Sequence, residues 1–265
     1  RAVAQVRSLM MSVDAKAASY PWELMRDSDP SDDGPLSTRV ELVRQLASAH
    51  GRGRVPTVTE ASIFIVGDTQ SGMVELKGAQ KEAEIVAAAF RHKDYQTVNL
   101  LLRASPQLVF DGLFNGRYRI MHLAGHGVVR EGENGLTGMV LGPHTYLTPA
   151  QVSKLRHVPE FVFINCCYLG STKDDAQPRW GRLAANLATQ FIEMGCKAVI
   201  AAGWAVDDNA ANLFAEVFYE AMLDGQRFGE AVRRARDATF RRYRQSNTWG
   251  AYQAYGDELY RFADT

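Results

Sequence analysis

Five short apolar runs, separated by segments of helical periodicity, constrain this chain more than any other feature. Residues 62–66 read Ser-Ile-Phe-Ile-Val and close on Gly67-Asp68. A continuous apolar run of this length predicts a strand buried on both faces. Residues 98–102, 118–124, 161–165 and 198–202 repeat the pattern. Helices are expected between them over 80–92, 106–114 and 182–194, and two more over 208–224 and 227–244. Strands joined by helices of ten or more residues are parallel neighbours, because the crossover needs that length. The expected class is α/β: one mainly parallel sheet with helices on both faces.

Local signals fill in the remainder. Ala2, Val6, Leu9 and Met10 recur at helical spacing, and Val40, Leu42, Val43 and Leu46 resume an apolar stripe. Residues 1–56 therefore read as a mostly helical lead-in of the same domain, with 57–265 as its core. Asp27 to Pro35 is an acidic turn-rich loop, and 51–56 a basic connector. Residues 130–138 are Gly-rich and read as a mobile loop; 139–141 and 146–147 flank Gly142-Pro143 as a small hairpin. Thr148 and Pro149 are the N-cap and first residue of a short helix.

The charge balance narrows the partners. The 265 residues carry 30 Lys+Arg and 30 Asp+Glu, a formal net charge of zero. Neutrality argues against a dedicated nucleic-acid or membrane-surface protein. No apolar run approaches the roughly 18 residues that span a bilayer. Three cysteines are too few and odd in number for a disulfide framework, so a reducing, cytoplasmic setting is expected. The chain begins with Arg1 and reads as a piece of a longer protein with regulatory segments upstream.

Two polar clusters fall where strands end: His122-Leu-Ala-Gly-His-Gly127 and Asn165-Cys-Cys-Tyr-Leu-Gly170. Open α/β sheets gather their chemistry at the carboxyl edge. A His and a Cys on different parallel strands can face each other there, which is the arrangement for thiolate catalysis. A free thiol with pKa near 8.5 is only about 3% ionised at neutral pH, so it needs such a neighbour. The glycines beside His126 permit close backbone approach and leave an N–H for a developing oxyanion. A strand-end cysteine is equally at home as core packing, and spacing alone leaves both readings open. Successive side chains on a strand alternate faces, so only one of Cys166 and Cys167 can meet His126.

These motifs resemble the CHAT domain of the caspase-like cysteine peptidases. Pro21-Trp-Glu-Leu24, Pro35-Leu36 and Val43-Arg-Gln-Leu46 resemble its N-terminal signature. The two polar clusters resemble its His and Cys motifs. Gly203-Trp-Ala-Val-Asp-Asp208 resembles its Trp-x-Val-x-Asp segment, and Phe218-Tyr219, Ala231, Ala235 and Trp249 its closing helices. The resemblance runs over residues 15–255. It implies a caspase-like three-layer sandwich and a protein-cleaving cysteine endopeptidase that serves bacterial signalling or defence and needs no cofactor or metal. His126 is then the base or ion-pair partner. Cys167 is the nucleophile, three residues before Gly170. The N–H groups of Gly127 and Cys167 are the oxyanion donors. His122 is then structural, and Cys196 belongs to the core. The sequence departs from the commoner Ala-Cys-Glu-Thr-Gly version, with Cys166 for Ala and Tyr168-Leu169 for Glu-Thr.

By similarity to separase, Asp208 is the residue that lines the pocket for a basic side chain before the scissile bond. The competing reading has Asp207 or Asp208 capping the helix that starts near Asn209. Other patterns are incomplete. Gly67 to Gly72 has P-loop glycine spacing, but Met73 and Val74 stand where Lys and Ser/Thr are required. His122-x₃-His126 lacks the glutamate of a zincin. The arginines of 233–244 oppose the apolar stripe Phe228, Val232, Ala235 and Thr239 and read as a solvated face, with no direct nucleic-acid role. The rival to a peptidase is a catalytically silent scaffold with the same fold.

Overall fold

The structure, a computed structural model, describes residues 6–14, 17–27, 34–46, 57–93, 95–130, 136–168 and 182–262. It contains β1 (Ser8–Val13), α1 (Leu36–Arg39), β2 (Glu41–Leu46), β3 (Ser62–Thr69), α2 (Lys77–Arg91), β4 (Thr97–Ala104), α3 (Pro106–Asn115), β5 (Ile120–Arg130), β6 (Leu136–Gly142) and β7 (Thr145–Leu147). The chain continues through α4 (Pro149–Val152), β8 (Phe161–Tyr168), α5 (Arg182–Met194), β9 (Ala198–Ala202), α6 (Asp208–Leu223), α7 (Phe228–Arg242), α8 (Thr248–Ala251) and β10 (Tyr252–Gly256). The strands form one sheet in the order β1-β2-β10-β9-β8-β5-β3-β4, with the β6–β7 hairpin carried on β5. The five expected strands are all present and their mutual pairings are parallel; the pairings β9–β10, β5–β6 and β6–β7 are antiparallel.

Handedness places the helices. The chain moves from β3 outward to β4, then returns past β3 to β5 and on to β8 and β9. Right-handed crossovers in opposite directions put their helices on opposite faces. Accordingly α2, which follows β3, packs with α6 and α7 on a core holding Ile63, Ile65, Phe161, Phe163 and Phe214. The other face holds Phe64, Val66, Leu123, Val162 and Ile164 under α3 and α5. Strand alternation divides the residues of β3 and β8 between these two cores. The result is a three-layer α/β sandwich.

The first fifty residues differ from expectation. The segments 8–13 and 41–46 are strands, not helices. β1 is an edge strand whose exposure alternates with period two, paired in parallel with β2. The helical spacing of a few apolar residues is outweighed by ladder hydrogen bonds to a distant strand. The lead-in is fastened by a buried cluster: Arg44 Nε and Nη2 donate to Glu23, and Arg44 Nη1 donates to Ala18 O at 2.6 Å. Arg236 also departs from the solvated face expected of its helix. It is fully buried, donating to Leu42 O at 2.9 Å and Tyr252 O at 2.8 Å.

Of the loops expected from sequence, 28–33 and 51–56 lie outside the described residues. So does 131–135 of the 130–138 loop, whose remainder is strand at both ends. Thr148 heads α4 with a capping box, and α5 spans 182–194 as its pattern implies.

Candidate active site

β3 and β5 are neighbours whose connections leave in opposite directions, so a crevice opens at their carboxyl ends. There the sheet splits. β5 pairs with β3 up to Ala124 and with β6 from Gly127 onward. Gly125 and His126 thus have no strand partner on that side. The segment 70–76 covers the gap, and His126 Nε2 lies 2.7 Å from Val74 O. A carbonyl oxygen only accepts, so Nε2 carries the proton and donates it. Nδ1 is then the basic nitrogen. It is buried and has no hydrogen-bond partner among the described residues.

On its other edge β5 pairs with β8 in parallel, and His126 stands directly opposite Cys167. Position 167 shares the strand parity of Phe163 and Asn165, which stand opposite His122 and Ala124. Cys166 has the other parity. It is buried in the opposite core, its thiol 3.7 Å from Leu123 O. The first polar motif, and 165–168 of the second, lie within strands instead of just beyond them, because the β6 hairpin prolongs β5 and β8 follows it. Gly127 stands opposite Met139 and Tyr168. Leu169 and Gly170 lie outside the described residues.

Asp68 organises the covering segment. Its backbone is left-handed, with φ 63°, a conformation that aspartate tolerates better than most residues. Its buried carboxylate accepts from Thr69 N at 2.8 Å, Leu76 N at 3.2 Å and Gln80 Nε2 at 3.3 Å. This fixes both ends of the loop that presents Val74 O. Gly67 before it allows the close approach of α2, since a Cβ there would sit 2.5 Å from that of Ala83.

A partly open cavity adjoins His126, with Leu76, Ala79, Val206 and Ala211 among its apolar walls. Asp208 and Glu82 are its acidic members. The capping question divides between the two aspartates: Asp207 is the N-cap of α6, accepting from Ala210 N at 2.9 Å. Asp208, the next residue, lies against the first turn of α2. A Cβ on Gly78 would come within 2.2 Å of the Asp208 carboxyl carbon, so the carboxylate keeps this position only beside a glycine. His122 is fully buried beneath the cavity, its Nδ1 3.1 Å from Tyr219 Oη and its Nε2 3.2 Å from Glu82 Oε1. Burial, and then the Glu82 charge, push the Tyr219 pKa well up, so this hydroxyl stays protonated. Cys196 is a second buried thiol, its pKa raised by desolvation.

Val74, Asp68 and Glu82 have no signature in the sequence. A backbone carbonyl acts whatever its side chain, and Asp68 reads there only as a turn residue. No group of three or more His, Cys, Asp or Glu suited to a metal ion occurs among the described residues. No helix there is long and apolar enough to cross a membrane.

A mainly parallel sheet between two helical layers, with a histidine and a cysteine in register at its switch point, defines a caspase-like fold. Three solved structures share it. Gingipain R, described as an Arg-specific cysteine proteinase, has TM-score 0.58 and 14% identity over 96% of this chain and 63% of that one. The complex of the pro- and mature domains of Porphyromonas gingivalis RgpB gives 0.60 and 13% over 96% and 65%. The Saccharomyces cerevisiae separase–securin complex gives 0.56 and 17% over 94% and 15%. The chain thus spans under two thirds of each of these proteins, and at such identities the likeness is one of fold. No curated protein matches the sequence. The chain belongs to the CHAT domain family, whose model matches residues 1–257.

Proposed function

We propose that this chain is a cysteine endopeptidase that cleaves protein substrates through a Cys167–His126 dyad. The observation that carries this reading is the register of β5 and β8, with His126 opposite Cys167 and Nδ1 of His126 without a hydrogen-bond partner among the described residues. In this mechanism His126 Nδ1 takes the thiol proton, and the Cys167 sulfur attacks the peptide carbonyl carbon. The N–H groups of Gly127 and Cys167 receive the developing oxyanion. The tetrahedral intermediate collapses as Nδ1–H protonates the departing amine, leaving a thioester. Water, deprotonated by Nδ1, then hydrolyses the thioester and restores the thiol. Val74 O holds the ring throughout and steadies the imidazolium when it forms.

Asp208 is the residue assigned to a basic side chain before the scissile bond. A guanidinium or ammonium entering the cavity meets its carboxylate in a charge-assisted hydrogen bond. The cavity beside His126 and the contact of Asp208 with Gly78 support this assignment. Regulation by segments upstream of this chain and action in a reducing compartment complete the proposal.

The test is a fluorogenic peptide panel with basic, acidic and apolar residues before the scissile bond. It is run on wild type, Cys167→Ala, His126→Ala and Asp208→Asn. Cleavage lost in the first two variants, with basic preference lost in the third, is the expected result. Activity surviving Cys167→Ala overturns the nucleophile, and equal cleavage after Arg and Leu in wild type removes the Asp208 pocket.

A further inference from the structure

We propose that Glu82 is a second specificity-determining carboxylate, at the floor of the cavity, which selects arginine over lysine before the scissile bond. This rests on the peptidase reading above and deepens it.

Glu82 follows Gly78 by four residues on α2, so both face the same way, about 6 Å apart along the axis. Gly78 marks the level of Asp208, and Glu82 lies one turn deeper, only 1% exposed, in the wall of the same cavity. A buried carboxylate is costly unless its oxygens are hydrogen-bonded. Glu82 is only half provided for. Oε2 accepts from Asn165 Nδ2 at 2.7 Å. Oε1 lies 3.2 Å from His122 Nε2, and no hydrogen bond to it occurs among the described residues. His122 is engaged on its other side by Tyr219. One carboxylate oxygen therefore keeps accepting capacity beside an open space.

The cavity walls suit what arginine and lysine share. Leu76, Ala79, Val206 and Ala211 offer apolar surface for the methylene stem. The acidic groups separate the two. A guanidinium is planar and carries five N–H donors in a fixed fork, so it can bond Asp208 at the mouth and Glu82 at the floor together. An ammonium holds its three donors on one nitrogen, so it reaches both carboxylates only from a single point midway between them and meets each with fewer hydrogen bonds. Were Glu82 only a clamp for His122, it would set stability and leave the choice between the two cations unchanged.

The experiment measures kcat/KM for peptides differing only in Arg, Lys or Leu before the scissile bond, on wild type, Glu82→Gln and Glu82→Asp. Melting curves confirm folding. In parallel, agmatine and 1,5-diaminopentane are titrated calorimetrically into Cys167→Ala and into Cys167→Ala with Glu82→Gln. Wild type is expected to favour Arg over Lys by about tenfold or more, the range of a charge-assisted hydrogen bond. Glu82→Gln should bring that ratio close to one while Arg and Lys both stay ahead of Leu, because Asp208 remains. Agmatine should bind better than the diamine only where Glu82 is present. An Arg-to-Lys ratio unchanged in folded Glu82→Gln overturns the proposal. If that variant does not fold, an unchanged ratio in Glu82→Asp, whose carboxylate is one methylene short, does the same. Agmatine preference without any peptide cleavage would uphold the pocket and refute the peptidase. Absence of both would refute both.

Discussion

His126 Nε2 donates to the carbonyl oxygen of Val74 at 2.7 Å, in the gap between the last pair of β5 with β3 and its first pair with β6. The contact selects one tautomer. Nitrogen-15 NMR of the resting protein should show the neutral His126 ring as the Nε2–H tautomer. A proton on Nδ1 alone would contradict the contact and remove the base.

The two neighbouring cysteines should behave differently. Cys166 lies in the core and Cys196 is buried with a raised pKa, so neither is a reactive thiolate. Iodoacetamide on the native protein should modify Cys167 first, read by peptide mass mapping. Cys166→Ala should cost about 1 kcal/mol of stability through lost packing and leave cleavage near wild type. Labelling at Cys166 ahead of Cys167 would reverse the assignment.

Gly78→Ala is a sensitive probe of the pocket. The new Cβ would overlap the Asp208 carboxylate at 2.2 Å and displace it. Alanine also favours a helix over glycine by about 0.5–1 kcal/mol. The variant should melt no lower than wild type, yet lose about tenfold in kcat/KM on peptides with a basic residue before the scissile bond. Unchanged kinetics would mean that Asp208 does not touch substrate.

Glu23 neutralises two fully buried arginines, Arg44 and Arg236. Burial pulls both guanidiniums toward deprotonation. Glu23 outweighs it for Arg44, whose pKa is raised, while that of Arg236 falls to about 10. Glu23→Ala would leave these cations without their anion and should cost about 3–5 kcal/mol, since breaking a buried pair is far worse than replacing it whole. Denaturant unfolding would measure this. A loss below about 1 kcal/mol, the value of a surface pair, would show the cluster to be solvated.

Glu160 sets part of the acid stability. Burial pushes its pKa up, but hydrogen bonds from Lys197 and Arg119, together with their charges, more than offset this and hold it below the usual value of 4.5. A carboxylate with a depressed folded pKa contributes stability above its unfolded pKa and loses it as pH falls through the folded value. The melting temperature should therefore drop below about pH 4.5. Glu160→Gln should lower it at neutral pH and shrink that acid-dependent fall. Parallel wild-type and variant curves would show that another group is responsible.

Much of the architecture was legible because buried parallel strands and amphipathic helices carry strong local patterns. The runs 62–66, 161–165 and 198–202 and the helix 182–194 follow from hydrophobic spacing alone. The lead-in was not legible in this way. Its strand identity depends on β1 pairing with β2 and on Arg44 reaching Glu23, contacts across the sequence that override a short helical spacing.

By itself the sequence determined the alternation of strands and helices, and with it the placing of His126 and Cys167 on separate parallel strands. Strand periodicity also required that only one of two adjacent cysteines share the histidine's face. The tertiary structure alone decided the register that sets 126 against 167, the tautomer held by Val74, the room that Gly78 leaves for Asp208, and the depth of Glu82. Each of these depends on a distance between segments far apart in the chain. Such distances arise from packing, and no local run of residues encodes them.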